Sequence, residues 1–160
     1  MSRVKELIKL FNLEPLAVEG GMFQVAFRSS KLIETLDGRK GRIALSGIYF
    51  LLQKGEVSRL HRVKSDEVWH FYEGAEVELF ILDENTMALE RHILGKAGSN
   101  STPMVLVPAG KWQCARSLGE YSFVGCNVAP GFEYEDFEVA EDREFVEKVL
   151  AKYLYLREFV

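Results

Sequence analysis

The feature that most constrains the fold is a series of short strand candidates, each bounded by residues that favour turns. Gly, Asn, Asp and Pro interrupt the apolar sequence at short intervals, as at Asp37-Gly38, Gly98-Ser99-Asn100 and Pro108-Ala109-Gly110. The strand candidates between these breaks cover about 21–30, 42–53, 57–63, 66–73, 76–83, 88–94, 103–107, 111–117 and 121–128. Many short strands at this spacing are typical of a β-sandwich or a β-barrel, so we predict an all-β core.

Helical periodicity marks the two ends of the chain. Near the N-terminus, apolar side chains recur at the spacing of one helix face, at Val4, Leu7, Ile8 and Phe11. This pattern predicts a short amphipathic helix over residues 2–12, and a second apolar stripe predicts a longer helix from about residue 140 to residue 160. The segment before that helix is predicted to be a solvent-exposed acidic turn, with Glu133, Glu135 and Asp136. With 160 residues and no linker or repeat, a single domain over 1–160 is expected.

The strand candidate between Ala44 and Leu52 is apolar almost throughout. A strand with one face in water alternates apolar and polar residues, so this strand is predicted to be covered on both faces. The second cover is either a terminal helix or another subunit.

Charge and cysteine content exclude several classes of function. The chain has 20 Lys and Arg against 24 Asp and Glu, a net charge of −4, and no basic block. Nucleic acid and anionic membranes are therefore not expected as partners. Cys114 and Cys126 are too few for a disulfide framework or a four-thiolate zinc site, and we predict buried free thiols. The N-terminus lacks the apolar run of a signal peptide, so a cytoplasmic location is expected.

The segment from Gly55 to Gly74 carries the residues whose chemistry is easiest to interpret. Its sequence predicts two strands joined by a tight turn near Lys64. Such a hairpin would place His61 and Glu67 opposite each other, with Cβ atoms about 4.5–5.5 Å apart. An imidazole and a carboxylate are thus predicted to converge on one point.

This segment resembles the first sequence motif of the cupin superfamily. The matching motif positions are those of Gly55, His61, Glu67 and Gly74. Val63 stands in place of the second histidine of that motif. The second cupin motif resembles the residues from Pro108 to Gln113, and Gln113 stands where the last metal-binding histidine would be.

Almost the whole chain is similar to one single-domain group of this superfamily, cupin family five. Separated segments carry the similarity, at Glu19–Phe23, Ser65–Tyr72 and Val128–Phe132. The resemblance implies a double-stranded β-helix (jelly-roll) barrel, usually in a homodimer. It also implies structural similarity to sugar-nucleotide keto-epimerases, which work without a metal.

The resemblance leaves two chemical interpretations of the first motif open. Cupin metals are usually held by three histidines and one glutamate, whereas this chain offers only His61, Glu67 and the amide of Gln113. We predict no metal cofactor, and a divalent ion, if bound, would use these three residues. The alternative is metal-free acid–base chemistry, in which His61 is the base and Glu67 orients it. Its proton donor would be a tyrosine, chosen from Tyr49, Tyr72, Tyr121 and Tyr134.

Two further interpretations assign no catalytic activity to the chain. His61 and Glu67 could form a buried hydrogen-bonded pair in a non-catalytic scaffold. Alternatively, the barrel binds a small polar metabolite, such as a sugar or nucleotide sugar, without turning it over. The candidate ligand-binding residues are Trp69, Phe71, Gln113, Phe123, Arg28 and Ser58. The aromatic members of this set could instead fill the barrel, and Arg28 could form an ordinary salt bridge in place of binding an anionic ligand group.

Overall fold

The strands divide between two antiparallel sheets that pack face to face in the computed structural model, which describes residues 2–160. In spatial order, the first sheet consists of β1 (Glu14–Pro15), β2 (Met22–Arg28), β5 (Ser46–Gln53), β12 (Tyr121–Ala129), β7 (Asp66–Gly74) and β10 (Met104–Val107). The second sheet consists of β13 (Phe137–Val139), β6 (Val57–Val63), β11 (Trp112–Ser117), β8 (Val77–Leu82) and β9 (Leu89–Leu94). A separate ribbon contains β3 (Leu32–Ile33) and β4 (Arg42–Ile43). This architecture confirms the predicted all-β jelly roll.

Apolar side chains from the inner faces of both sheets fill one end of the barrel. Trp69 is only 1% exposed and meets Phe50 edge to face, with ring centroids 5.9 Å apart. Leu79 from the second sheet and Val124 from the first are fully buried in the same cluster. The other end of the barrel is not filled in this way, and it contains the cavity described below.

The N-terminal helix covers the outer face of the first sheet. Helix α1 (Arg3–Phe11) begins at Ser2, whose Oγ accepts a hydrogen bond of 3.4 Å from a backbone N–H of the first turn. Leu7 on its inner face is fully buried against Leu51 of β5 and Phe123 of β12. A terminal helix is therefore the second cover that the apolar strand requires. The homodimer stays a prediction, and light scattering at micromolar concentration is the measurement that checks it.

The C-terminal helix covers the outer face of the second sheet and is shorter than predicted. Helix α2 (Arg143–Lys152) ends before Tyr153, whose backbone is not helical (φ −132°, ψ 66°), and a 3₁₀ helix follows over Leu154–Phe159. A 3₁₀ helix has about three residues per turn, so Leu156 and Phe159 lie on one face, and both are buried against the sheet. This packing explains why the α-helix does not continue to residue 160. No helix within residues 2–160 is long and apolar enough to cross a membrane.

The predicted hairpin between residues 57 and 73 is wrong. Strand β6 pairs with β11 and β13 in the second sheet, whereas β7 pairs with β10 and β12 in the first. The tight turn at Lys64 therefore carries the chain from one sheet to the other. Consequently His61 and Glu67 approach each other across the barrel interior and are not neighbours within one sheet.

The predicted exposed acidic turn contains one buried residue. Asp136 ends a 3₁₀ helix over Tyr134–Asp136 and is 3% exposed. Its carboxylate accepts hydrogen bonds from Arg42 at 2.7 and 2.9 Å and from Arg39 at 2.9 Å. The hydrogen bonds from Arg42 outweigh the cost of burial, so they hold the pKa of Asp136 below its ordinary value, and Arg39 adds to the effect. These ion pairs tie the β3–β4 ribbon to the segment that precedes β13.

Candidate functional site

A cavity of about 220 Å³ lies at the unfilled end of the barrel, between the two sheets. Most of its wall is aliphatic or aromatic. The polar side chains that line it are those of Glu19, Arg28, Ser46, His61, Glu67 and Glu133. An apolar cavity with a few convergent polar groups is the usual form of a small-molecule site.

His61 presents its Nε2 atom as a base. The side chain is 2% exposed, and its Nδ1 lies 2.6 Å from the carbonyl oxygen of Arg59. A carbonyl oxygen only accepts, so Nδ1 must carry the proton in this bond. The neutral ring then has its free lone pair on Nε2, which lies 3.9 Å from a carboxylate oxygen of Glu19.

Glu19 is the site residue that sequence reasoning missed. Its Oε1 accepts a hydrogen bond of 2.6 Å from the hydroxyl of Ser58 on β6. The predicted ligand-binding residue Ser58 therefore orients Glu19, and this contact does not require a ligand.

The loop that carries Glu19 lies directly against β6. The backbone N–H of Arg59 donates to the Glu19 carbonyl at 2.8 Å. Gly20 has φ of +103°, and any Cβ there would clash with the carbonyl oxygen of Val57. This requirement for glycine next to an acidic residue is the sequence signal that could have identified Glu19.

Glu67 is a buried carboxyl group held by an amide. Gln113 Nε2 donates to Glu67 Oε2 at 2.6 Å, while Gln113 Oε1 accepts from the indole N–H of Trp69 at 2.8 Å. The indole therefore fixes which end of the Gln113 amide points to Glu67.

The surroundings of Glu67 favour its protonated form. Burial raises the pKa of this group, and the carboxylate of Glu19 raises it further. His61 and the hydrogen bond from Gln113 act in the opposite direction without cancelling the rise. Cys126, whose thiol lies against Glu67, is a buried free thiol, as is Cys114, and the prediction for both is confirmed.

The predicted metal-ligand set does not fit a metal ion. Gln113 presents an N–H to Glu67, and its oxygen is already bonded to Trp69. Val63 lines the cavity with an apolar side chain. Among residues 2–160, no three His, Cys, Asp or Glu side chains are grouped so as to hold an ion. The arrangement therefore supports no reaction step through a metal.

Three aromatic residues expected in the pocket wall lie elsewhere. Trp69 belongs to the filled end of the barrel, where Phe71 packs against the same cluster. Phe123 lies on the outer face under α1, with its ring 4.9 Å from that of Phe11. Side-chain alternation predicts the face of a strand, but it does not predict how far along the barrel a residue lies, nor where a bulge in β7 shifts its register against β12.

A different set of aromatic residues lines the cavity, namely Phe23, Phe132, Tyr134 and Phe137. Three of them follow cis-Pro130, in or next to the segment that is predicted to be an exposed acidic turn. Of the four candidate tyrosines, Tyr134 lines the cavity. Tyr49 and Tyr72 pack on the outer face around Phe123, and the Tyr121 hydroxyl donates to Glu73 at 3.0 Å.

Arg28 lies at the mouth of the cavity and forms a salt bridge. Its Nη1 donates to the carbonyl oxygen of Phe132 at 3.0 Å, and its Nη2 pairs with Glu133. The guanidinium is therefore engaged by the protein itself.

The two-sheet barrel and its internal cavity define a protein of the cupin class. More narrowly, the chain belongs to the Cupin_5 family of the cupin superfamily (DUF985), whose model matches residues 5–140. Among curated proteins, none is significantly similar to the chain.

Solved structures agree with this assignment. An X-ray structure of a protein from Shewanella oneidensis is 30% identical, with 99% of this chain and 98% of that chain covered and a TM-score of 0.88. A hypothetical protein from Leishmania major is 26% identical, with 99% of both chains covered and the same TM-score of 0.88. Oxalate decarboxylase from Bacillus subtilis is 16% identical over 84% of this chain and 32% of that chain, with a TM-score of 0.58, and this likeness extends to the fold alone.

Proposed function

We propose that the chain binds a small carbonyl compound in the cavity and isomerises it by metal-free acid–base chemistry. The observation that carries the proposal is the pairing of two groups in one cavity. His61 has its free lone pair on Nε2 because Nδ1 donates to a backbone carbonyl. Glu67 is buried, and its raised pKa keeps it protonated to a higher pH than an ordinary glutamate. A base and an acid thus line the same apolar space.

The size of the cavity limits the ligand. Its volume of about 220 Å³ exceeds the ~150 Å³ of a protein cavity that binds benzene, but it lies below the ~300–1,000 Å³ of common ligand pockets. A ligand about the size of one six-membered ring would fill this cavity. A single sugar ring or a small keto compound fits, and a nucleotide sugar would have to keep its nucleotide outside.

The proposed proton transfers use these two groups in turn. His61 Nε2 takes a proton from the carbon beside the carbonyl, and the electron pair moves to the carbonyl oxygen. That oxygen takes the proton of Glu67, which gives an enol and a carboxylate held by Gln113. Where the carbon that lost its proton bears a hydroxyl group, this enol is an enediol. His61 then returns its proton to the former carbonyl carbon while Glu67 takes the proton of that hydroxyl, whose oxygen becomes the new carbonyl, and this completes a 1,2-isomerisation.

Other groups assist or extend this chemistry. The carboxylate of Glu19, 3.9 Å from Nε2, stabilises the imidazolium that forms during the transfer. Epimerisation would need an acid on the opposite side of the substrate, and Tyr134 is the predicted tyrosine that lines the cavity.

Hydrogen exchange tests the proposal. Small keto sugars and other one-ring carbonyl compounds, incubated with the protein in deuterated water, should gain deuterium beside the carbonyl. His61→Asn should abolish the exchange, and Glu67→Gln should slow it by about 10²–10⁴-fold, the usual contribution of a positioned acid or base. His92→Asn is the matched control, because His92 lies on the surface beside Glu90.

The outcomes separate catalysis from binding. Exchange that persists in His61→Asn would contradict the role of this base. Compounds that raise the melting temperature without exchanging would favour the second candidate, a binding protein that uses the same cavity. A ligand at 100 times its Kd adds about 2.7 kcal/mol of stability, so thermal shift detects it.

A further inference from the structure

The cavity is lined by aromatic rings and by the carboxylate of Glu19, which has no Arg or Lys partner among residues 2–160. We propose that its ligand is cationic: a small amine or quaternary ammonium compound with a body of about one ring. This inference rests on the proposed function, because it concerns the ligand of the same cavity. It adds the sign of the ligand's charge, which the acid–base chemistry alone leaves open.

The charges at the mouth and in the interior differ. At the mouth, Arg28 and Glu133 form an ion pair with each other. In the interior, the negative charge is that of the Glu19 carboxylate, because Glu67 serves the proposed chemistry as a protonated acid. Within residues 2–160, no Arg or Lys other than Arg28 lines the cavity. Glu19 has a hydroxyl donor from Ser58 and an imidazole at 3.9 Å, but no guanidinium or ammonium partner. While His61 is neutral, a ligand cation would therefore meet a carboxylate that no other cation of the described chain neutralises.

An anionic ligand would meet the opposite conditions. It would lie beside Glu19 in a space of low dielectric constant, where like charges repel more strongly than in water. Arg28 does not offer a free site for it, since both ends of its guanidinium already donate, to Phe132 and Glu133. Binding an anion there would break a salt bridge of the protein.

The aromatic wall supplies a second, independent attraction for a cation. Phe23, Phe132, Tyr134 and Phe137 line the cavity. The ring of Phe132 meets those of Tyr134 and Phe137 at 80° and 64°, with centroids 5.2 and 5.9 Å apart. Rings at such angles form adjoining walls rather than one flat stack. Aromatic rings attract cations through their quadrupole, and several rings around one space are the arrangement that recognises quaternary ammonium groups.

A set of ligands with one shape and three charges tests the inference by calorimetry. Choline is positive, 3,3-dimethylbutan-1-ol has the same branched shape without charge, and 3,3-dimethylbutanoate is negative. Choline should bind at least about tenfold more tightly than the neutral alcohol, and the carboxylate most weakly. A quaternary ammonium group donates no hydrogen bond and cannot lose a proton, so the preference reports charge alone.

Two variants assign the preference to this cavity. Glu19→Gln should bring the ratio of the choline and alcohol affinities close to one, and Phe132→Leu should weaken choline more than the alcohol. Glu120→Gln is the matched control, because it removes one negative charge from an exposed pair with Lys54. It should leave the ratio unchanged.

Several results would overturn the inference. These are equal or tighter binding of the alcohol or the carboxylate, no binding of any of the three compounds, or an equal effect of Glu120→Gln. None of these results would contradict the proposed function, because hydrogen exchange with neutral carbonyl compounds tests that function separately. Conversely, choline binding together with no exchange in any of the carbonyl compounds would support the cationic ligand and contradict the isomerase.

Discussion

Two buried carboxyl groups of this chain have opposite surroundings. Asp136 accepts hydrogen bonds from Arg39 and Arg42, and its pKa is lowered. Glu67 has no cationic side chain bonded to it, accepts a hydrogen bond from an amide, and its pKa is raised. The first arrangement stabilises an ionised group that joins two segments. The second favours the protonated form of a group that lines the cavity, so the comparison separates a structural carboxylate from one suited to chemistry.

The largest expected effect is on the structural side of this comparison. Asp136→Ala leaves the buried guanidinium of Arg42 without its main partner, so we expect a loss of about 3–5 kcal/mol in the free energy of unfolding. Urea denaturation measures it. Glu135→Ala is the matched control, because Glu135 also pairs with Arg42 but is exposed, and it should cost about 1 kcal/mol or less. Equal costs for the two variants would contradict the structural role of Asp136.

A substitution at Gly20 tests whether the position of Glu19 depends on the close contact between its loop and β6. Gly20→Ala places a Cβ against the carbonyl oxygen of Val57 in a positive-φ residue, so it should cost about 1–3 kcal/mol and displace Glu19. Gly38→Ala also has positive φ but nothing near its Cβ, and it should cost less. Calorimetric melts of both give the stability, and ligand affinity should fall only in Gly20→Ala. Similar behaviour of the two variants would show that Glu19 does not depend on this close approach.

The indole N–H of Trp69 is expected to contribute both to stability and to activity, because it orients the Gln113 amide. Trp69→Phe leaves Gln113 Oε1 buried without a donor, at a cost of about 1–3 kcal/mol that includes lost packing. The amide of Gln113 then becomes free to flip and present its oxygen to Glu67. We expect the exchange activity to fall and its pH profile to move, as a purely structural loss would not do. Unfolding experiments and pH–rate profiles check the two parts separately.

The smallest expected effects are in the pH dependence of stability. A raised pKa in the folded state means that Glu67 favours folding below its unfolded pKa and that this contribution is lost as pH rises through the folded pKa. Glu67→Gln should therefore gain stability over the natural chain as pH increases. Asp136 has a lowered pKa, so its contribution is present above the unfolded value and is lost as pH falls. Asp136→Asn should thus be least different from the natural chain in acid. Parallel curves for the two variants would contradict this account.

The sequence predicted the fold better than it predicted the site. Strand spacing, turn residues and terminal periodicity identify the barrel and its helices, because these patterns are local. The predicted pairing across Lys64 is wrong because a tight turn has the same sequence pattern whether its two strands pair with each other or enter different sheets. Glu19 and Phe132 reach the cavity from loops. Their positions depend on tertiary packing, which the periodicity of a sequence does not predict. His61 and Glu67 were found through their motif, and they converge across the barrel although the predicted hairpin does not exist.

The most direct test of the account is a carboxyl ¹³C NMR titration of the protein, with Glu67→Gln and Asp136→Asn used to assign the two signals. The account predicts a midpoint for Glu67 above the ordinary glutamate value of 4.5 and one for Asp136 below the ordinary aspartate value of 3.8. A Glu67 midpoint at or below 4.5 would mean that burial does not favour the protonated form of this group. That result would contradict the acid–base role of the cavity.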